Sequence, residues 1–319
     1  MQGYSMNGYL NTVLRRTGKT LLVEGVTDHS VMTRLKRSRA AKLGSEPDGH
    51  IDIVELVQDP STSGLGKKEV IKTVLRKIQQ LPPFLQARVI AKLGVLMDRE
   101  WDDIEVELQL LTPWSAPTQV KPYFVTLGHS VENYFFRLDG IESYLRQQFF
   151  LELEQPFFNN LKTRFNQIIA FAATYSLAMR REHWITRGSG LISLEHVEWV
   201  GGRYIARGDL SAALMARNLK VPEDFLENIN INIGTYLEQY HTPEPGRWLC
   251  HGHLGEEAIW ACVANLVAEH LPTNRIAKDI ERGHKDLRFN HALDFMTRET
   301  LEDCIPLEHA ILWLTAEAA

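Results

Sequence analysis

Along the first 135 residues, short apolar runs alternate with amphipathic stretches, and each apolar run stops abruptly at a charged or turn-forming residue. Such runs, too short for helices, read as strands buried on both faces. The pattern predicts strands over residues 19–24, 51–57, 92–98 and 122–127. Helical spacing fills the intervals, with a leading helix in 1–18 and further helices over 28–42, 67–80 and 130–150. Leu81-Pro82-Pro83-Phe84 breaks the helical pattern as a connector. Strands separated by helices predict βαβ units, hence an α/β fold with a mostly parallel sheet flanked by helices. Beyond residue 135 the period changes. Phe158, Leu161, Phe165, Ile168, Ile169, Ala172 and Tyr175 recur at three- and four-residue intervals, predicting an amphipathic or buried helix over 157–184. Segments 210–219, 224–240, 256–270 and 307–315 read likewise, punctuated by Pro222, Pro243, Pro245 and Pro272. The expected organisation is a sheet domain over 1–135 and a mainly helical C-terminal domain over 136–319 that supplies dimer or partner contacts.

Two of the predicted strands end in acid: Leu21-Leu22-Val23-Glu24-Gly25-Val26-Thr27-Asp28 and Leu93-Gly94-Val95-Leu96-Met97-Asp98-Arg99-Glu100. Ligand sites of open α/β sheets lie just beyond the carboxyl ends of the strands. Neighbouring strands with these endings bring Glu24, Asp28, Asp98 and Glu100 to one rim. Crowded carboxylates repel unless cations neutralise them, and hard oxygen ligands suit Mg²⁺ or Mn²⁺. Each acid also has a structural reading: Asp28 as the N-cap of a helix beginning at His29, the others as solvated loop residues.

A third element, His129-Ser130-Val131-Glu132-Asn133-Tyr134, follows the fourth apolar run. The order Glu-Gly-x-x-Asp, then Asp-Arg-x-aromatic-Asp (Asp98 to Asp102), then Ser-x-Glu-Asn-Tyr resembles toprim-like nucleases. The similar branch includes the toprim nuclease subunit of the PARIS anti-phage systems. Trp248-Leu249-Cys250-His251-Gly252-His253-Leu254 is similar to a Gly-His-hydrophobic element in the C-terminal half of that branch. The resemblance implies a toprim-like sheet domain with Mg²⁺ or Mn²⁺ held by Glu24, Asp28, Asp98 and Glu100. Glu100 stands where the family usually has Asp, so Asp102 or Asp103 is an alternative ligand. Glu132 is implied to complete the site, with His129 as a proton donor. Also implied is a phage-defence effector held by a partner ATPase of ABC or AAA type and released to cut nucleic acid, tRNA ranking above DNA. Homodimerisation in the active state belongs to the same expectation. The alternatives are a DNA-cleaving nuclease, a non-catalytic scaffold for DNA or a partner protein, and a small-molecule phosphotransferase.

Charge sharpens this picture more than composition does. The 319 residues, 44 % hydrophobic and 24 % charged, are those of a globular protein with a sizeable core. No apolar stretch reaches the roughly 18 residues of a membrane span, and Met1-Gln2-Gly3-Tyr4-Ser5-Met6 lacks the basic start of a signal peptide. Cys250, Cys262 and Cys304 are too scattered for a disulfide framework, so a cytoplasmic location is expected. The net charge of −5 divides into +7 over residues 1–97 and −12 over 98–319. Arg34, Arg37 and Lys42 on the second helix, with Lys67 and Lys68 after the second strand, are therefore candidate contacts to a nucleic-acid backbone, against the bland reading of a solvated face.

Three other motifs carry less. Gln58 to Lys68 is a Gly- and Ser-containing loop entering a helix, but lacks the Gly-x-x-x-x-Gly-Lys-[Ser/Thr] spacing of a nucleotide-hydrolysing loop. Cys250-His251-Gly252-His253 lacks the paired ligand spacing of structural zinc. His251 or His253 reads as an acid or hydrogen-bond donor at a phosphate, or as a structural histidine at a turn. Arg180-Arg181-Glu182-His183-Trp184 reads either as a stacking site for an unpaired base or as a helix end.

Overall fold

The computed structural model describes residues 3–44, 48–104, 114–283, 285–298 and 304–316. The chain divides into two compact units that are interleaved in sequence, in place of the single cut expected after residue 135. The first comprises Met1–Arg99, Ala116–Leu127 and Thr297–Ala319, and the second Glu100–Ser115 and Gly128–Met296.

In the first unit the apolar runs form β1 (Thr20–Val23), β2 (His50–Ile53), β3 (Leu93–Met97) and β4 (Tyr123–Val125). All pairings are parallel, in the order β2-β1-β3-β4. β1 and β3 are central and fully apolar apart from Thr20, as strands covered on both faces must be. Leu22 and its register partner Val95 face a core shared with Tyr9, Leu10, Val13, Ile71 and Val74, from helices Met6–Arg15 and Lys67–Gln79. Gly94 faces the other way, where a Cβ would stand 2.5 Å from the Trp313 ring. Trp313 belongs to helix Leu307–Thr315, which packs on β1, β3 and helix Val26–Leu43. The predicted 307–315 helix thus forms, but as a cover of the sheet. The Leu81–Phe84 break is followed at once by another helix, Pro83–Lys92, with Pro at its first position, where the missing N–H costs nothing.

The second unit is built on helix Gln155–Arg181, which is buried almost all round from Ile168 to Met179. Helices Phe225–Gln239, Glu244–Leu249 and Gly252–His270 pack against it. The expected 130–150 helix is instead a 3₁₀ turn, Val131–Phe135, followed by helix Leu138–Gln148. One element departs from the mainly helical expectation. β5 (Val197–Val200) and β6 (Arg203–Ala206) form an antiparallel hairpin closed by Gly201 and Gly202, at φ 59° and 81°. No helix among the described residues is long and apolar enough to cross a membrane.

Candidate metal centre

The order β2-β1-β3-β4 makes the β1/β3 boundary the place where the sheet reverses its winding. Successive connections leave on opposite sides there and open a crevice at the carboxyl ends. Glu24 directly follows β1 and Asp98 directly follows β3. Glu24 is 8 % exposed, and its Oε1 accepts a hydrogen bond from the Asp98 N–H at 2.9 Å. The two predicted ligands therefore share one rim, with the backbone of one fixing the carboxylate of the other.

Asp28 lies at the same end of β1 but does not N-cap a helix at His29. The helix begins at Val26 with Gly25 as its N-cap, and Asp28, in its first turn, accepts the Gly25 N–H on Oδ2 at 2.8 Å. Gly25 is extended, at φ −148°, so no turn demands a glycine here. The position is closely neighboured: a Cβ at Gly25 would stand 3.1 Å from the Lys67 Nζ and 3.6 Å from Asp28 Oδ2. Lys67 also pairs with Glu55 Oε1 at 2.7 Å, and Lys68 Nζ donates to the Arg99 carbonyl at 3.0 Å. Both lysines thus reach the carboxylate rim, one at the end of β1 and the other just beyond Asp98. Arg34, Arg37 and Lys42 are exposed on helix Val26–Leu43. Lys42 is 14 residues beyond Asp28, roughly 21 Å along the axis, so the structure does not gather this basic face at the rim.

Glu100, Asp102, His129 and Glu132 belong to the second unit. Glu100 takes a left-handed backbone, φ 53°, and its N–H donates to the His129 carbonyl at 2.8 Å. Such a conformation costs a non-glycine residue about 1–3 kcal/mol unless its surroundings hold it. The His129 ring lies 4.6 Å from the Trp101 ring and 4.2 Å from that of His251, between centroids. Asn133, fully buried, accepts the Ser130 N–H at 2.9 Å and donates to the Cys250 carbonyl at 2.9 Å and to that of Arg247. A Cβ on Gly252 would meet Ser130 Oγ at 2.3 Å and Glu132 Oε2 at 3.1 Å. The Ser130–Tyr134 and Trp248–Leu254 motifs, more than 100 residues apart in sequence, are therefore one interlocked structure. Asn133 and Gly252 hold them together, a role that spacing alone could not reveal.

Within this cluster, burial holds His251 at a pKa of about 4, helped by the nearby His253. His251 Nδ1 accepts the Leu254 N–H at 3.3 Å as the N-cap of helix Gly252–His270. A neutral imidazole with Nδ1 committed as acceptor carries its proton on Nε2, so His251 is a hydrogen-bond donor and not an acid at neutral pH. Cys250 donates its thiol to the Gly246 carbonyl at 3.4 Å, and burial raises its pKa. Trp184 is buried against Phe225, while Arg180 lies over Trp101, so the tryptophan of this segment is not open to a base.

Among the described residues, no group of three or more His, Cys, Asp and Glu side chains stands at metal-holding distances. The rim acids are all-oxygen donors with Lys67 and Lys68 beside them, a donor set suited to a hard divalent cation. No family model and no curated protein matches the sequence.

Proposed function

We propose that the chain is a Mg²⁺- or Mn²⁺-dependent nuclease of toprim type. The observation that carries the reading is the Glu24–Asp98 contact at the β1/β3 reversal, with the Lys67 ammonium beside Gly25 and the Lys68 ammonium on the Arg99 carbonyl. Glu24 and Asp98 would hold the cation, with Asp28 beside them. When bound, the ion supplies Lewis-acid stabilisation and lowers the pKa of a water. The chain's own contribution is placement. The Asp98 N–H fixes the Glu24 carboxylate, the Gly25 N–H fixes Asp28, and Lys68 ties helix Lys67–Gln79 to the residue after Asp98.

The substrate class follows from charge and resemblance. Lysines beside a metal-type acidic rim suit a phosphodiester, with cations on the backbone and the reaction confined to one phosphate. The motif resemblance to toprim-like nucleases of anti-phage systems, read from the sequence, ranks tRNA above DNA. It also proposes the setting: an anti-phage effector restrained by a partner ATPase and acting as a homodimer. Purified chain incubated with tRNA and Mg²⁺ should cleave it, and chelation or Asp98→Asn should abolish cleavage. Cleavage that survives both would overturn the reading. Glu100→Ala, Asp102→Ala, His129→Ala and Glu132→Ala ask separately whether the second unit's residues take part in the reaction.

A further inference from the structure

Lys67 occupies a position that helix stability does not explain. It is the first residue of helix Lys67–Gln79, with Gly66 as N-cap and Lys68 next. Cations at a helix N-terminus oppose the macrodipole by about 0.3–1 kcal/mol each. Its ion pair with Glu55 leaves the two side chains 52 % and 44 % exposed, and exposed pairs of this kind contribute little. Its ammonium nevertheless lies against Gly25, at the end of β1, 3.1 Å from where a Cβ on that residue would stand. Asp28 Oδ2 borders the same point. Lys72, five residues on, pairs with Glu69 at 2.8 Å.

From these contacts we infer that Lys67 is a catalytic residue of the carboxylate rim, placed to hold a non-bridging oxygen of the reacting phosphate, and not one more backbone contact. The inference rests on the nuclease reading. In the reaction the water oxygen bonds to phosphorus, the ester P–O bond breaks, and a phosphate monoester and a hydroxyl result. The water's proton passes through solvent to the leaving oxygen. Lys67 keeps its proton throughout and donates a hydrogen bond to oxygen as negative charge builds, stabilisation of the oxyanion-hole kind. Glu55 parks the ammonium at the rim before substrate arrives, and a phosphate, more highly charged, takes it over. A lysine here also competes with a divalent cation for the field of Glu24 and Asp28.

The test combines kinetics on tRNA with Mn²⁺ titration followed by electron paramagnetic resonance, using full-length Lys67→Met, Lys67→Arg and, as control, Lys72→Met. Lys67→Met should lower kcat by about 100-fold or more, the scale seen on losing one oxyanion donor, with KM changed only a few-fold. Lys67→Arg should restore part of kcat. Lys67→Met should bind Mn²⁺ several-fold more tightly than the native chain, and Lys72→Met should match the native chain in both assays. A raised KM at native kcat, or unaltered Mn²⁺ affinity in Lys67→Met, overturns the assignment while leaving the nuclease reading intact. A native chain that cleaves no tRNA or DNA overturns the nuclease reading and the catalytic role together. Tighter Mn²⁺ binding by Lys67→Met would then still locate its ammonium at the cation's field.

Discussion

Glu24 offers a perturbation in which charge and geometry separate. Its Oε1 accepts the Asp98 N–H at 2.9 Å from a position only 8 % exposed. Replacement by Ala removes that charge-assisted bond and leaves a backbone donor without its acceptor, a loss of about 1.5–3 kcal/mol. In a unit of this size each kcal/mol shifts Tm by roughly 2–4 °C, so Glu24→Ala should melt roughly 3–12 °C lower. Relief of repulsion among the rim acids acts in the opposite direction. Glu24→Gln keeps an oxygen at the same reach and removes the charge, so it gains that relief without losing the bond. The expected order of Tm is Gln at or above native, and Ala below both. Activity should follow the other coordinate: both variants lose the anionic ligand, so both should lose at least 100-fold in tRNA cleavage, the scale of a major electrostatic contributor. Differential scanning fluorimetry and a gel-based cleavage assay on the same preparations suffice. Native cleavage by Glu24→Gln would refute the ligand role, and equal Tm for the Ala and Gln variants would refute the structural role of the Asp98 contact.

Arg34→Ala and Arg37→Ala should each reduce the slope of log affinity against log salt for tRNA by about one if that face holds the backbone; unchanged slopes measured by filter binding would make it a solvated face. Gly252→Ala should destabilise the second unit by about 1–3 kcal/mol, because its Cβ falls on Ser130 Oγ; an unchanged urea midpoint would contradict that packing. His251 also makes stability depend on pH. With its folded pKa near 4, below the ordinary 6.5, the unfolded chain binds the proton first, so its contribution is complete above pH 6.5 and is lost as pH falls towards 4. His251→Asn keeps an N-capping acceptor without the titration, and its urea midpoint should fall less over that range than the native one; parallel curves would contradict the burial of His251.

The four parallel strands were legible because each is a short apolar run with a sharp polar end, and the acids after β1 and β3 marked the rim for the same reason. What sequence periodicity could not carry was contact across distance. Helix Leu307–Thr315 was foreseen, but its place beneath the sheet depends on Trp313 meeting Gly94, and nothing local to either residue says so. The interlock of Asn133 with Cys250 is hidden in the same way. Other features carry a local signal. Val197-Glu198-Trp199-Val200-Gly201-Gly202-Arg203-Tyr204 carries the two-residue Gly-Gly signal of a hairpin, overlooked in a region whose general period is helical. Pro82-Pro83 breaks the helical pattern and also starts a helix, since Pro is accommodated at a first helical position. The basic residues divided by reach: Lys67 and Lys68 begin their helix at the rim, whereas helix Val26–Leu43 leads away from it.

The central claim is that Glu24 and Asp98 hold a divalent cation, and anomalous diffraction from crystals grown with Mn²⁺ tests it most directly. An anomalous peak should lie about 2.1 Å from carboxylate oxygens of both Glu24 and Asp98, the distance of small hard cations, with no peak there in Asp98→Asn crystals. A Mn²⁺ peak at other residues with none at this rim, or a rim peak undiminished in Asp98→Asn, would contradict it.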